Sequence, residues 1–302
     1  MNIAILGGTG FIGTQLVQTL ALANHHITLL SRNPASAQNP RIPSVEARLW
    51  DPAGNLSQVL EGTDAVINLA GESIGSNRWS KPQKERILSS RVSATQAIVR
   101  AIGHTRRKPT VLLNASGVGY YGHVASGDVT EDSPRGNDFL SGVCARWEEE
   151  ARSAEQFGVR VVLLRSGLVL AKNGGSLLKL MLPFRLFAGG PLGSGQQWFP
   201  WIHLEDEVGA IVFCLMHPEV SGPANLVAPH SVTMSQFCTS LGKAMRRPSW
   251  LRVPSVVLKV AIGEMAEGLV LVGQKAIPKK LAANGFDFKY QDVDTALGAI
   301  LS

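Results

Sequence analysis

Cysteine is scarce in this chain: Cys144, Cys214 and Cys238 are odd in number and far apart. Such spacing suits neither a disulfide framework nor a zinc site, so no metal is expected and a reducing, cytoplasmic setting is. Charged residues reach only 17% of 302, without the excess that keeps a chain disordered. Long apolar runs are also lacking. The most apolar late stretch, Val253 to Gly273, is interrupted by Pro254, Lys259, Glu264 and Glu267. It reads as a soluble helix pair and not as a membrane span. The chain passes at once into the apolar run Asn2 to Leu6, which leaves no room for the charged and apolar regions of a signal peptide.

Aromatic residues amount to 6%, and each basic cluster holds a single one: Trp79 among Arg78, Lys81, Lys84, Arg86 and Arg91, and Trp250 among Lys243, Arg246, Arg247 and Arg252. Solvated helix faces, or contact with an anionic small molecule, explain those clusters better than nucleic acid does. Hydrophobic residues at 45% are ample for a globular core.

Apolar, β-branched runs alternate with helical patterns. Asn2 to Leu6, His26 to Ser31, Val45 to Leu49, Asp64 to Leu69, Pro109 to Ser116 and Val159 to Arg165 read as strands. Between the first two, Ile12, Leu16, Val17 and Leu20 form the stripe of a helix lying on a sheet. This alternation predicts an α/β, Rossmann-type doubly wound parallel sheet. After Leu170 the rhythm breaks into the Gly/Pro-rich passage Gly189 to Pro200, then helices over Leu204 to Met216 and Ser235 to Met245. Late insertions in such folds cover the carboxyl ends of the strands. Residues 1–170, with 197–230 contributing, are therefore expected to form the nucleotide domain. Residues 171–196 and 231–302 are expected to form a small C-terminal capping domain on the substrate side.

Gly7, Gly10 and Gly13 stand between the first strand and the first helix. The first glycine permits a tight turn, the second lets a phosphate approach the backbone, and the third allows close helix packing. Thr9, Phe11 and Ile12 complete a loop whose amides face a pyrophosphate at a helix N-terminus. An NAD-preferring site usually carries a carboxylate about ~20 residues on; Ser31 and Arg32 stand there instead. A guanidinium and a hydroxyl favour a ribose 2′-phosphate, which points to NADP(H). Arg32 could also simply cap the strand end in solvent. Leu69, Ala70, Gly71 and Glu72 close the fourth strand and would face the dinucleotide, while Ser116 would stand beside the nicotinamide.

With these residues in place, the chain resembles the extended short-chain dehydrogenase/reductases. More narrowly it resembles the nucleoside-diphosphate-sugar epimerase-like family, whose members are often labelled cell-division inhibitor. The resemblance is nearly full length and rests on Gly7 to Gly13, Asn68 to Glu72, Ser116 to Gly122, Arg165-Ser166-Gly167, and Trp201-Ile202-His203-Leu204-Glu205-Asp206. Residues 251–297 are similar to the small C-terminal domain of the narrower family. The resemblance implies a nicotinamide cofactor, Arg165 on the cofactor side and a helix start at His203 that supports the substrate pocket. It also implies a Tyr-x-x-x-Lys pair on one helix, residues four apart sharing a face.

That pair is missing. None of Tyr120, Tyr121 and Tyr290 has a lysine four residues on, and no lysine lies between Lys108 and Lys172. Counting back from Arg165 puts the pair near Val143 and Trp147, which have no proton or charge to offer. One register later come Cys144 and Glu148, which read either as an acid and base or as a buried core cysteine and its neighbour. Tyr120 and Tyr121 follow Ser116 closely; either donates a proton with a pKa near about 10 in the absence of a cation, or both merely wall the pocket. Arg91 and Arg185 could approach an anionic substrate.

Two functions follow. One is an NADP(H)-dependent oxidoreductase or epimerase-like enzyme acting on a carbonyl compound or nucleotide-linked sugar, with Ser116, Tyr120 and Tyr121 at the reacting end. The other is a degenerate NADP(H)-binding regulatory protein that acts through a protein partner, in line with the cell-division label. A homodimer is compatible with either.

Overall fold

The computed structural model describes residues 1–37, 43–51, 54 and 56–302. Seven parallel strands form the central sheet: β1 (Asn2–Leu6), β2 (His26–Ser31), β3 (Val45–Leu49), β4 (Ala65–Asn68), β5 (Val111–Gly117), β6 (Arg160–Ser166) and β7 (Gly222–Leu226), in the order β3-β2-β1-β4-β5-β6-β7. The order reverses between β1 and β4, and at such a switch point the loops beyond the carboxyl ends diverge and leave a crevice.

Both sheet faces are covered, so the central strands read as continuous apolar runs. Successive side chains on β1 point to opposite faces. Ile3 and Ile5 pack with Leu16 and Leu20 of α1 (Phe11–Leu22), while Ala4 and Leu6 belong to the core that holds Ile98 and Ile102 of α2 (Lys81–His104) and Ala151 of α3 (Phe139–Arg152). The α1 stripe read from the sequence is the buried one. Ser80 caps α2, with Pro82 in its first turn, and Asp138 caps α3 through the Ser141 amide.

β7 escaped the sequence reading because it opens on Gly222-Pro223, residues that weaken the strand signal. It pairs only with β6, at the sheet edge, where proline is tolerated. The other six strands fall within two residues of their expected limits.

The helices α4 (Leu177–Arg185) and α5 (Leu204–Met216) precede β7, the latter packed in the same core as Ile3 and Ile5, and α6 (Met234–Met245), α7 (Ser255–Ile262) and α8 (Val293–Leu301) follow it. A third core joins Phe184, Phe199, Trp201, Phe237, Leu241, Leu297 and Ile300, so the chain after residue 168 has apolar packing of its own. The expected helix pair over 253–273 is α7 followed by one π-helical turn, Ala266–Val270. Among the described residues no helix is long and apolar enough to cross a membrane.

Candidate active site and nucleotide cleft

At the end of β1 the chain turns with Gly7 at φ +84°, a conformation that side-chain-bearing residues rarely adopt. A Cβ on Gly7 would stand 2.8 Å from the Leu69 carbonyl carbon, and one on Gly13 would stand 2.3 Å from the Gly7 oxygen. Only glycine lets the loop, the end of β4 and α1 close up in this way. Gly10 is the N-cap of α1 and offers no side chain to its first turn, which also lacks acidic residues. The first-turn amides are therefore left for an anion.

Gly7, Thr9, Gly10, Ser31, Arg32, Leu69, Ala70, Gly71 and Glu72 line one cleft of about 580 Å³. Arg32 is exposed at its edge. Phe11 instead packs beneath the turn at Gly174 and Gly175, Ile12 leans on the core, and Gly13 lies under the loop. A glycine cradle that any Cβ would fill, free helix amides and a guanidinium at the β2 end together fit a dinucleotide carrying a 2′-phosphate.

The strand ends behind the cleft are pinned by buried amides. Asn68 and Asn114 face each other across β4 and β5, and Asn68 Nδ2 donates to Asn114 Oδ1 at 2.7 Å and to Thr95 Oγ1 at 2.9 Å. Trp147 Nε1 donates to the same Thr95 oxygen at 2.9 Å. Asn68 Oδ1 accepts from the Ala70 amide, which fixes the turn that meets the cleft.

A second cavity, of about 220 Å³, opens at the ends of β5 and β6. Ser116, Cys144 and Ser166 reach it, among apolar walls of Ile74, Leu140, Trp147, Phe199 and Leu269. Gly268 to Gln274 close it from the C-terminal side, where Gln274 Nε2 donates to the Val118 carbonyl and the Val124 amide donates to the Gly273 oxygen. Arg91 joins the two spaces. It lines the cavity, stacks 4.9 Å from the Trp147 ring, and holds the Glu72 carbonyl at 2.9 Å. A Cβ on Gly71 would stand 2.9 Å from the Arg91 guanidinium carbon.

Ser116 Oγ donates to Glu148 Oε1 at 2.7 Å, and Arg165 grips both Glu148 oxygens at 2.8 Å. Burial opposes the Arg165 charge, but the Glu148 carboxylate and the Tyr121 hydroxyl outweigh it and raise its pKa. Arg165 thus orders the Ser116–Glu148 pair and does not line the nucleotide cleft expected of it. Cys144, four residues before Glu148, is a neutral thiol: burial, then the Glu148 charge, push it up to about 11.

Neither tyrosine lines the cavity. Tyr121 donates to Asn225 Oδ1 at 2.6 Å while accepting from Arg165 Nη1 at 2.9 Å. The expectation of a tyrosine without a cation is corrected here, since the Arg165 guanidinium also lies 3.5 Å from the Tyr120 ring centre. Burial still dominates and pushes Tyr121 up to about 12. Its one hydrogen is spent on Asn225, so the geometry gives it no proton to pass to a cavity ligand. His203 is the N-cap of α5, its Nδ1 accepting from the Glu205 amide at 3.1 Å, and Asp206 accepts from the Lys289 and Tyr290 amides at 2.9 Å. Both tether segments, as the start of a supporting helix should.

The family model described as NAD dependent epimerase/dehydratase family matches residues 3–227. The chain belongs to this family. A model for a domain of unknown function, DUF1731, matches residues 253–300, the segment that closes the cavity and carries α8. The chloroplastic epimerase family protein SDR39U1 homolog of Arabidopsis thaliana is 43% identical over 310 residues, covering 100% of this chain and 87% of its own. Epimerase family protein YfhF of Bacillus subtilis (strain 168) is 40% identical over 304 residues, covering 100% and 98%. The crystal structure of human epimerase family protein SDR39U1 (isoform 2) with NADPH matches at a TM-score of 0.89 and 36% identity, over 100% of this chain and 99% of that one.

Within this epimerase/dehydratase-family chain, local context in the sequence pointed to the glycine loop, Ser31, Arg32 and Ser116, which line or adjoin the cleft and the cavity. It singled out neither Ser166 by itself nor Glu207 and Gln274. Ser166 was quoted within Arg165-Ser166-Gly167, yet nothing local announces that its partner is a carboxyl 41 residues on.

Proposed function

We propose that this protein is an NADP(H)-dependent oxidoreductase that acts on a carbonyl group carried by a largely apolar compound. One observation carries the reading: the glycine-loop cleft and the apolar cavity meet at Gly71 and Arg91, and Ser116 lines the same cavity. The NADPH in the human relative's crystal structure supports the cofactor. The α1 amides and Gly7 to Gly10 would hold the pyrophosphate, Arg32 and Ser31 the 2′-phosphate, and Ala70, Gly71 and Glu72 the flank of the dinucleotide. When bound, the nicotinamide supplies or accepts hydride.

The chain's own residues do the rest. Apolar walls exclude water, which strengthens any hydrogen bond made inside. Ser116, tied to an ionised Glu148, presents lone pairs and orients a substrate hydroxyl. Arg91 is the cation nearest the junction and neutralises charge there. A nucleotide sugar suits this cavity less, because a diphosphate needs several donors and, among the described residues, Arg91 is the only lysine or arginine that lines it. We further propose that residues 1–170 with 197–230 hold the cofactor while 171–196 and 231–302 shape the substrate side.

Incubating the protein with NADPH and a panel of aromatic and aliphatic ketones, aldehydes and quinones tests the reading by loss of nicotinamide absorbance. Turnover on an apolar member, lowered at least tenfold by Ser116→Ala, is expected. NADPH binding without turnover across the panel would instead favour the regulatory alternative.

A further inference from the structure

Two pairs of serine and glutamate open on the cavity, and the reading above employs only one. Glu148 is clamped by Arg165 and ionised, and an ionised carboxylate only accepts. The Ser116 hydrogen is therefore committed to Glu148 and cannot be given to a ligand at the same time.

The second pair has the opposite character. Strands β5 and β6 pair so that Gly117 stands beside Ser166, which brings Ser166 to the same cavity from the neighbouring strand. Its Oγ lies 2.5 Å from Glu207 Oε1 on α5. Glu207 is 1% exposed, and its Oε2 has no hydrogen-bond partner among the described residues. No ion pair among those residues includes it. Cys214, further along the same helix, is a buried thiol pushed up to about 12 and brings no charge.

An unpaired buried carboxylate is far more costly than its acid, so such a group keeps its proton. Burial pushes Glu207 up to about 8 against the opposing Ser166 hydrogen bond. A neutral Glu207 can donate to Ser166 Oγ, which frees the Ser166 hydrogen to turn into the cavity. One carboxyl charged and one neutral, each reaching the same space through a hydroxyl, is the arrangement that separates base from acid.

We propose that Ser166 donates the proton to a carbonyl oxygen bound in this cavity and that Glu207 resupplies it from behind. The proposal rests on the oxidoreductase reading for its hydride. As hydride from the reduced nicotinamide adds to the carbonyl carbon, the oxygen takes the Ser166 proton. Ser166 in turn takes the Glu207 proton, and Glu207 is left as a carboxylate that regains a proton from solvent through Ser166 once the alcohol departs. Ser166 thereby fills the donor role that no tyrosine can reach, and Glu207 acts only through Ser166.

Infrared spectroscopy with ¹³C-carbonyl acetophenone as probe tests this, on protein alone and on protein saturated with NADP⁺, where no hydride can transfer. Wild type should show a carboxylic-acid band at pH 7 that fades above about pH 8 and is absent from Glu207→Gln. The ketone stretch should shift to lower frequency on binding, lose most of that shift in Ser166→Ala and keep it in Ser166→Thr. Absence of the acid band at pH 7, absence of any ketone shift, or a shift unchanged in Ser166→Ala overturns the proposal. NADPH affinity measured by calorimetry on the same samples separates failure of the cofactor reading from failure of the relay, because the acid band and the ketone shift are also read without cofactor.

Discussion

Glu148 and Arg165 meet through two contacts of 2.8 Å where both side chains are almost wholly buried. Removing one partner of such a pair strands the other charge in a low-dielectric interior, which costs about 3–5 kcal/mol. Glu148→Gln should therefore lower unfolding stability by that order in urea titrations. Glu148→Leu combined with Arg165→Met should recover much of the loss, showing that the cost lies in the stranded guanidinium. An unchanged urea midpoint for Glu148→Gln would mean that Arg165 finds another partner. This pair was invisible in the sequence: its members lie 17 residues apart, on α3 and β6, and their meeting depends on how that helix lies on the sheet. The glycine loop was legible because its cause is local. A buried strand, three glycines and an amphipathic helix in succession admit few other conformations.

Among the buried groups at the N-terminus of α5, His203 and Glu207 have opposite pH behaviour. His203 caps the helix through a ring nitrogen that must stay unprotonated to accept, and burial lowers its pKa. Its stabilising contribution is present above its unfolded value of about 6.5 and is lost as pH falls through the lower folded value. Glu207 is the reverse case, raised from 4.5 to about 8. Its contribution is complete below the unfolded pKa of 4.5 and is lost as pH rises toward 8, because the unfolded chain releases the proton that the folded chain keeps. Melting temperatures of wild type and Glu207→Gln should thus diverge across that window, the variant gaining on wild type by on the order of 5 °C between pH 5 and 8. Parallel curves would show that Glu207 is ionised throughout. Sequence pattern located α5 to the residue but said nothing of this polarity, since Glu205, Asp206 and Glu207 look alike as first-turn acids. Only the register of α5 on β6 brings the third of them to Ser166. In the same way β7 was hidden by its opening Gly222-Pro223, although its neighbourhood was assigned to the nucleotide domain.

Across the whole molecule, the chain up to residue 227 builds the sheet and the segment after it returns to close the cavity. Gly273 is the tightest point of that closure, since a Cβ there would stand on the Trp198 carbonyl oxygen. Gly273→Ala should displace the 268–274 wall. Ketone binding should weaken at least tenfold while NADPH binding, which rests mainly on the glycine-loop cleft, stays within twofold. Calorimetry with each ligand reads the two effects separately, and equal losses would show that the 268–274 wall holds the cofactor as well as the ketone.

The account depends most on the glycine loop and Arg32 selecting a dinucleotide by its 2′-phosphate. A charge-assisted hydrogen bond is worth about 1.5–3 kcal/mol, or roughly 10- to 100-fold in affinity. Calorimetric titration of wild type and Arg32→Asp with NADPH and NADH is the direct measurement. Wild type should bind NADPH at least tenfold more tightly than NADH, and Arg32→Asp should reverse the order. Equal affinities in the wild type, or a preference untouched by the substitution, would contradict it.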